Sequence, residues 1–409
     1  MATVKQFKCL MPAAGRFEEV AALPYDVYGR AEAAEEVKGK PYSFLNIDRP
    51  ETQFAPDHDM YADDVYEKAA SMLKEWEAEG VLRMDNEASY FVYELTMDGR
   101  VQNGIVGCCS VDDYIDGTIR KHELTLAKKE KDRIRHVDTC SAQTGPIFLA
   151  FRRREDVANV IEEVKKDAPL FDFTSSDGIR HRGFKVKGAL NDTLSVAFSD
   201  TQRLYIADGH HRAASAVKVA LARREANPGY TGEEEFNFFL SVLFADSELK
   251  ILPYNRLIKD LGGMSEEEFK EKLGESFIIE PADAQVSPDT KGSFGMYLGK
   301  KWYRLYAKKE LLKSDAVGSL DVSYLQEHLL SAILGIDDPK NDPRIDFAGG
   351  IRGISYLEKR CDEDCVMAIS MYPTSIAELF AVADANALMP PKSTWFEPKL
   401  RSGLFMHKF

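Results

Sequence analysis

The run Arg203-Leu-Tyr-Ile-Ala-Asp208-Gly209-His210-His211-Arg212 decides how this chain is read. Leu204 to Ala207 is a short apolar stretch with aromatic and β-branched members, which predicts a strand. Gly209 breaks it, and from Arg212 to about Asn227 apolar residues recur at Ala213, Ala216, Val217 and Ala220, the spacing of one helix face. A strand that turns through Asp-Gly-His-His-Arg into a helix aims the first free amides of that helix back at the turn. Such an end attracts anions. Gly209 lets a ligand approach the backbone closely, and Arg212 offers a planar fork of donors matched to phosphate or carboxylate. His210 and His211 add groups that donate, accept or ligate metal. The same residues also read as a capped helix start, with Asp208 as N-cap and the histidines exposed on a loop. The five together tip the reading toward a site.

With 409 residues the chain exceeds what one core usually serves, so two domains are expected, 1–260 and 261–409. The boundary is read near Leu257 to Ser265, where Gly262-Gly263 precedes Ser265-Glu-Glu-Glu268, a capping-box pattern. Hydrophobic residues make up 44% and charged residues 29%, and no segment reaches the roughly 18 continuous apolar residues of a membrane span, so a soluble protein with no membrane partner is expected. The start lacks an apolar stretch of signal-peptide length, which favours a cytoplasmic location. A net charge of −14, from 67 acidic and 53 basic residues, opposes broad capture of nucleic acid. The six cysteines show no paired Cys-x-x-Cys zinc spacing and read as reduced thiols.

Along the chain, Tyr61 to Glu79 carries a helical apolar stripe ending at Gly80, and Asp98-Gly99 marks a hairpin between strands at Ser89 to Thr96 and Val101 to Val111. Strands are expected at Pro146 to Phe151, Gly183 to Lys187, Thr193 to Phe198 and Phe238 to Phe244, and a helix at His122 to His136. The order predicts an α+β fold with a mixed sheet, followed by an α+β C-terminal region. Arg344-Ile-Asp-Phe-Ala-Gly349-Gly350-Ile-Arg352-Gly353 reads as a strand entering a turn first and as a phosphate loop second.

Tyr205-Ile-Ala-Asp-Gly-His-His-Arg-Ala-Ala-Ser215 resembles the signature of the domain of unknown function family 1015, related to ParB, sulfiredoxin and the archaeal ADP-dependent free serine kinase. Leu23-Pro-Tyr-Asp26-Val27, Ser43-Phe-Leu-Asn-Ile-Asp48-Arg-Pro-Glu51, Lys121-His122-Glu123 with Thr125 and Asp132-Arg133, Gly145-Pro-Ile-Phe148 and Met389-Pro-Pro-Lys-Ser-Thr394 look like further blocks of that family. The resemblance implies a ParB/sulfiredoxin-like core for the mixed sheet and, by fold kinship, a nucleotide-dependent phosphotransferase. It also makes Asp26 a candidate site residue.

If 122–136 is one helix at roughly 100° per residue, then His122, Thr125, Lys129, Asp132, Arg133 and His136 share one face. That stripe is either a solvated surface or a wall of the site. Glu123 lies off it, near the apolar side, where partial desolvation makes a carboxylate a better proton acceptor. Near the other end, Lys392, Ser393 and Thr394 place a cation and two hydroxyls before Trp395 and Phe396, so the tail at 389–405 either docks structurally or returns to the site over a phosphate.

The reading is a small-molecule kinase using ATP or ADP with Mg²⁺ and acting on a hydroxyl amino acid such as free serine. Asp208 binds metal or orients the site, Gly209 and the helix amides cradle phosphate, and His210, His211, Arg212, Arg133 and Lys392 neutralise charge. Glu123 removes the hydroxyl proton. A phosphometabolite-binding regulator without turnover, or a phosphatase, is the alternative.

Overall fold

A computed structural model describes residues 1–125 and 127–409, the side chains of Lys128 and Lys129 excepted. The chain divides into two compact units, Met1–Leu249 with Pro398–Phe409, and Lys250–Glu397. The crossing comes before residue 260, and the end of the tail belongs with the first unit. There Met406–Lys408 pairs as a strand with Cys9–Pro12 on one side and Ala142–Gln143 on the other.

The first unit is built on β1 (Phe91–Met97), β2 (Arg100–Ser110), β3 (Ile147–Phe151), β4 (Leu204–Asp208) and β5 (Phe238–Ala245). Asp98 and Gly99 take φ of 51° and 77°, the pair of positive angles that the expected Asp-Gly hairpin requires, and they set Met97 opposite Arg100. The sheet runs Ile119–Arg120, β4, β3, β5, β2, β1, Arg180–Lys185, Phe171–Thr174. It is mixed: β5 lies parallel to β3 and antiparallel to β2, and β4 lies antiparallel to β3. All of β3 and nearly all of β5 are buried, which is why both read as unbroken apolar runs.

Helices α1 (Ala127–Cys140) and α2 (His210–Ala226) position the site. Ala213, Ala216, Val217 and Ala220 of α2 join Ile105, Leu149, Ile206 and Leu243 in one core. The expected helix at 122–136 is shorter at its start, because His122 to Thr125 form an irregular link and not a turn of helix. Leu126 and the side chain of Lys129 lie outside the described residues. The expected strand at Thr193 to Phe198 is instead part of a helix, Ala189–Ser199: Asn191, Leu194, Ala197 and Phe198 are buried at helical spacing.

The second unit carries a six-stranded antiparallel sheet in the order Phe277–Ala282, Lys301–Ala307, Ser293–Leu298, Met367–Met371, β6 (Tyr254–Ile258), β7 (Ile345–Gly349). Its first helix, Glu266–Ser276, starts on the capping box, with Ser265 Oγ accepting from the Glu268 amide at 3.2 Å and Glu268 Oε2 accepting from the Ser265 amide at 2.8 Å. The class is α+β with a mixed sheet, as the order of elements predicts. Among the described residues no helix is long and apolar enough to cross a membrane.

Candidate functional site

β4 ends at Asp208, and the chain reverses through Gly209 at φ 92°, ψ 28°, a left-handed conformation that glycine adopts without steric cost. A Cβ there would stand 3.1 Å from the Arg212 guanidinium. Gly209, not Asp208, is the N-cap of α2, and no side chain caps the helix. Asp208 is used otherwise. Its Oδ1 accepts the Gly209 N–H at 2.8 Å, and its Oδ2 accepts from Lys399 Nζ at 3.1 Å. Burial opposes the charge on Asp208, but Lys399 and Arg212 outweigh it and hold the carboxyl well below the usual carboxylate range. The first turn of α2 carries no acidic residue, and the ionised Asp208 carboxylate beside its N-cap bonds the Gly209 N–H.

His210 is buried and not exposed on a loop, because α2 begins at this residue and packs its first turn inward. Its ring meets that of His122 edge-on, with centroids 4.6 Å apart and planes at 86°. Both imidazoles keep a buried nitrogen with no hydrogen-bond partner, Nε2 of His210 and Nδ1 of His122. Such groups cost roughly 1–3 kcal/mol each unless something fills them, which makes the pair a marker for a ligand. Burial pushes His122 down to about 4 against the opposing pull of Asp208, and burial with His122 alongside pushes His210 well below the ordinary histidine value. Near neutral pH both rings are uncharged, each with one donor and one acceptor nitrogen.

Arg212 donates Nη1 to the Pro146 carbonyl. It lines a cavity of about 30 Å³ with Tyr25, Asp48, Arg133, Thr144 and Ser402, enough room for water. Arg133 lies under Tyr25 at 4.1 Å, donates Nε to Asp132 at 2.8 Å and reaches the Asp48 carbonyl at 3.2 Å. Asp132 also accepts from Tyr66, and His136 Nε2 donates to the Ile47 carbonyl at 2.8 Å. The described part of the polar stripe on α1 is therefore largely buried, and only Arg133 and His136 of it line the cavity with Arg212. Asp132, Arg133 and His136 bind the N-terminal segments, while Thr125 donates to Glu130, which also accepts from Lys218 of α2.

Glu123 sits half-buried in the link beside His122, and Asp26 is exposed in the single turn Tyr25–Val27. Lys392, Ser393 and Thr394 lie in the second unit. There Ser393 Oγ donates to the Pro390 carbonyl at 2.6 Å and the Ser393 carbonyl accepts from Thr374 at 3.0 Å, so this serine holds the tail in place. The tail cation that meets Asp208 is Lys399, which sequence reasoning missed: a single lysine between Pro398 and Leu400 looks like any surface lysine.

The donor set does not make a magnesium site as it stands. Both Asp208 oxygens are hydrogen-bonded, and an ammonium already sits against one of them. No cluster of three or more His, Cys, Asp or Glu suited to a metal occurs among the described residues.

The family model described as Protein of unknown function (DUF1015) matches residues 4–323. The chain belongs to this family. The DUF1015 match stops short of Lys399, so the family model does not cover one of the groups bonded to Asp208. No curated protein matches the DUF1015 chain. Solved structures similar to it include a free serine kinase variant in complex with AMP, with 13% identity over 74% of this chain and 92% of that one and a TM-score of 0.37. SbnI with a C-terminal truncation from Staphylococcus aureus shares 11% identity over 74% and 87%, with a TM-score of 0.38. A conserved hypothetical protein from Pyrococcus furiosus shares 13% over 75% and 95%, with a TM-score of 0.36.

Proposed function

We propose that the first unit is a small-molecule phosphotransferase that takes the phosphate end of ATP or ADP at the amino end of α2 and transfers a phosphoryl group to a small hydroxyl acceptor, free serine being the first to test. The carrying observation is the pair of buried, unpartnered imidazole nitrogens of His122 and His210, beside a carboxylate held ionised by Lys399 and Arg212. Phosphoryl transfer asks a protein chiefly for positioning and charge neutralisation. The uncapped amides of α2, with Arg212 and Lys399, supply positive charge, and the neutral histidines supply directed hydrogen bonds to phosphate oxygens. Glu123, next in the chain to His122, is assigned as proton acceptor, with Asp26 as the other candidate carboxylate. Because both Asp208 oxygens are taken, no step runs through a metal held by the protein.

The test is product formation: purified full chain, free serine and ATP or ADP, with phosphoserine and the spent nucleotide measured together. Stoichiometric phosphoserine is the expected result. Tight nucleotide binding without transfer would make the protein a regulator, and consumption of added phosphoserine to free phosphate would make it a phosphatase.

A further inference from the structure

Arg256, the middle residue of β6 in the second unit, is only 3% exposed. Guanidinium groups in protein interiors are normally matched by carboxylates, because an uncompensated buried charge is costly. Among the described residues no carboxylate pairs with Arg256. Of its five N–H donors one is used, Nη1 to the Tyr254 carbonyl, while Nε is sealed from solvent with no acceptor. The guanidinium also lies over the Phe347 ring, 5.4 Å away. Burial lowers the arginine to about 10, offset only in part by the Tyr254 phenol, and it stays cationic at neutral pH.

Two runs that the sequence marked as second-choice phosphate binders converge on the same place. Gly349 ends β7 directly opposite Tyr254, and the space a Cβ would take is filled by the Trp395 indole, at 2.5 Å. Trp395 meets Tyr254 edge-on at 5.0 Å, and Tyr254 meets Phe347 at 5.9 Å. Lys392 is held in the left-handed region at φ 61°, unusual for a lysine, with its ammonium 5.5 Å above the Tyr254 ring. Around one aromatic cluster there are thus a buried guanidinium fork and an exposed ammonium.

We propose that Arg256 and Lys392 form a second anion site, within the second unit, that takes the phosphate group of a small molecule. Two cations match a dianion, a fork suits a tetrahedral oxyanion, and the aromatic wall lowers the local dielectric and strengthens both contacts. Both residues lie in the unit Lys250–Glu397.

The test uses the full chain carrying Arg212→Ala, which weakens the first unit's corner, titrated with inorganic phosphate while the melting temperature and tryptophan fluorescence are followed. Saturable binding and a rising melting temperature are expected. Adding Arg256→Met should weaken binding at least about tenfold, the loss of a charge-assisted fork. The same change should leave the phosphate-free melting temperature unchanged or higher, since it removes a buried unpaired charge. Lys392→Met, at the surface, should weaken binding several-fold without affecting folding, and it decides the matter should Arg256→Met fail to fold. No saturable phosphate binding in the Arg212→Ala chain, parental affinity in either added variant, or acetate binding as tightly as phosphate would each overturn the proposal.

Discussion

Lys399 Nζ stands 3.1 Å from Asp208 Oδ2, a contact across 191 residues of sequence. Both side chains are partly shielded, 19% and 33% exposed, so screening by water is incomplete and the pair is worth more than a surface bridge. Lys399→Met should weaken nucleotide or phosphate binding to the first unit by about 1.5–3 kcal/mol, the scale of a hydrogen bond to a charged group. Calorimetric titration with ADP measures it, and unchanged affinity removes Lys399 from the site.

Arg212→Ala should cost a similar amount, about 1.5–3 kcal/mol of phosphate-ligand affinity. Its bond to the Pro146 carbonyl is the structural part of its role, so a modest fall in melting temperature should accompany the loss. Lowered stability with full affinity would limit Arg212 to that structural part.

Gly209→Ala tests the turn. At φ 92° an alanine costs about 1–2 kcal/mol from strain alone, and its Cβ would press on the Arg212 guanidinium 3.1 Å away. Gly188, at φ 54° with open space around its Cβ position, is the control. Gly188→Ala should lose stability only, whereas Gly209→Ala should lose stability and anion affinity together. Equal behaviour of the two in a denaturant and binding series contradicts the expectation.

The buried histidines fix a pH response. His122, pushed down to about 4 by burial, cannot take a proton that the unfolded chain takes below its ordinary value of 6.5. Its contribution is therefore fully present above pH 6.5 and is lost as pH falls toward 4, with a limiting slope of about 1.4 kcal/mol per pH unit. His122→Gln should flatten the acid side of a stability–pH curve relative to the parent. Titrating groups away from the pair, Asp113 among them, act equally in both chains and cancel in the difference, whereas His210, which His122 helps to hold down, moves with the substitution. Identical curves would mean His122 is not held neutral.

Glu123→Gln separates turnover from binding. It keeps the shape and removes the proton acceptor, so phosphoserine formation should fall by about 10²–10⁴ while nucleotide affinity is retained. If Asp26→Asn shows that pattern instead, the base is Asp26.

How much of this was readable in advance follows the range of the interactions. The corner at Asp208 was legible because strand, glycine turn and Ala-rich helix are signalled within neighbouring residues. The hairpin at Asp98-Gly99 and the capping box at Ser265 were legible for the same reason. Thr193 to Phe198 misled because Leu194, Val196 and Phe198 alternate like a strand, whereas in the folded chain Val196 is 62% exposed and Ala197 is buried instead. The burial of His122 against His210 and the arrival of Lys399 are tertiary events with no local pattern. The stripe on α1 was correctly polar, but whether such a face meets water, a ligand or other chain segments depends on partners such as Ile47, Asp48 and Tyr66 that no periodicity reveals.

The first unit is interrupted: 250–397 is threaded between its body and its final strand. During synthesis on a ribosome, a nascent chain that has emerged through residue 397 has every residue of the Asp208–Arg212 corner but neither the cation that meets Asp208 nor Met406–Lys408, the strand joining Cys9–Pro12 to Ala142–Gln143. The contact between Lys399 and Asp208 can therefore form only after 250–397 has been made, when the intervening unit has had time to fold. Messages cut short anywhere before Lys399 would yield chains in which Asp208 lacks that partner.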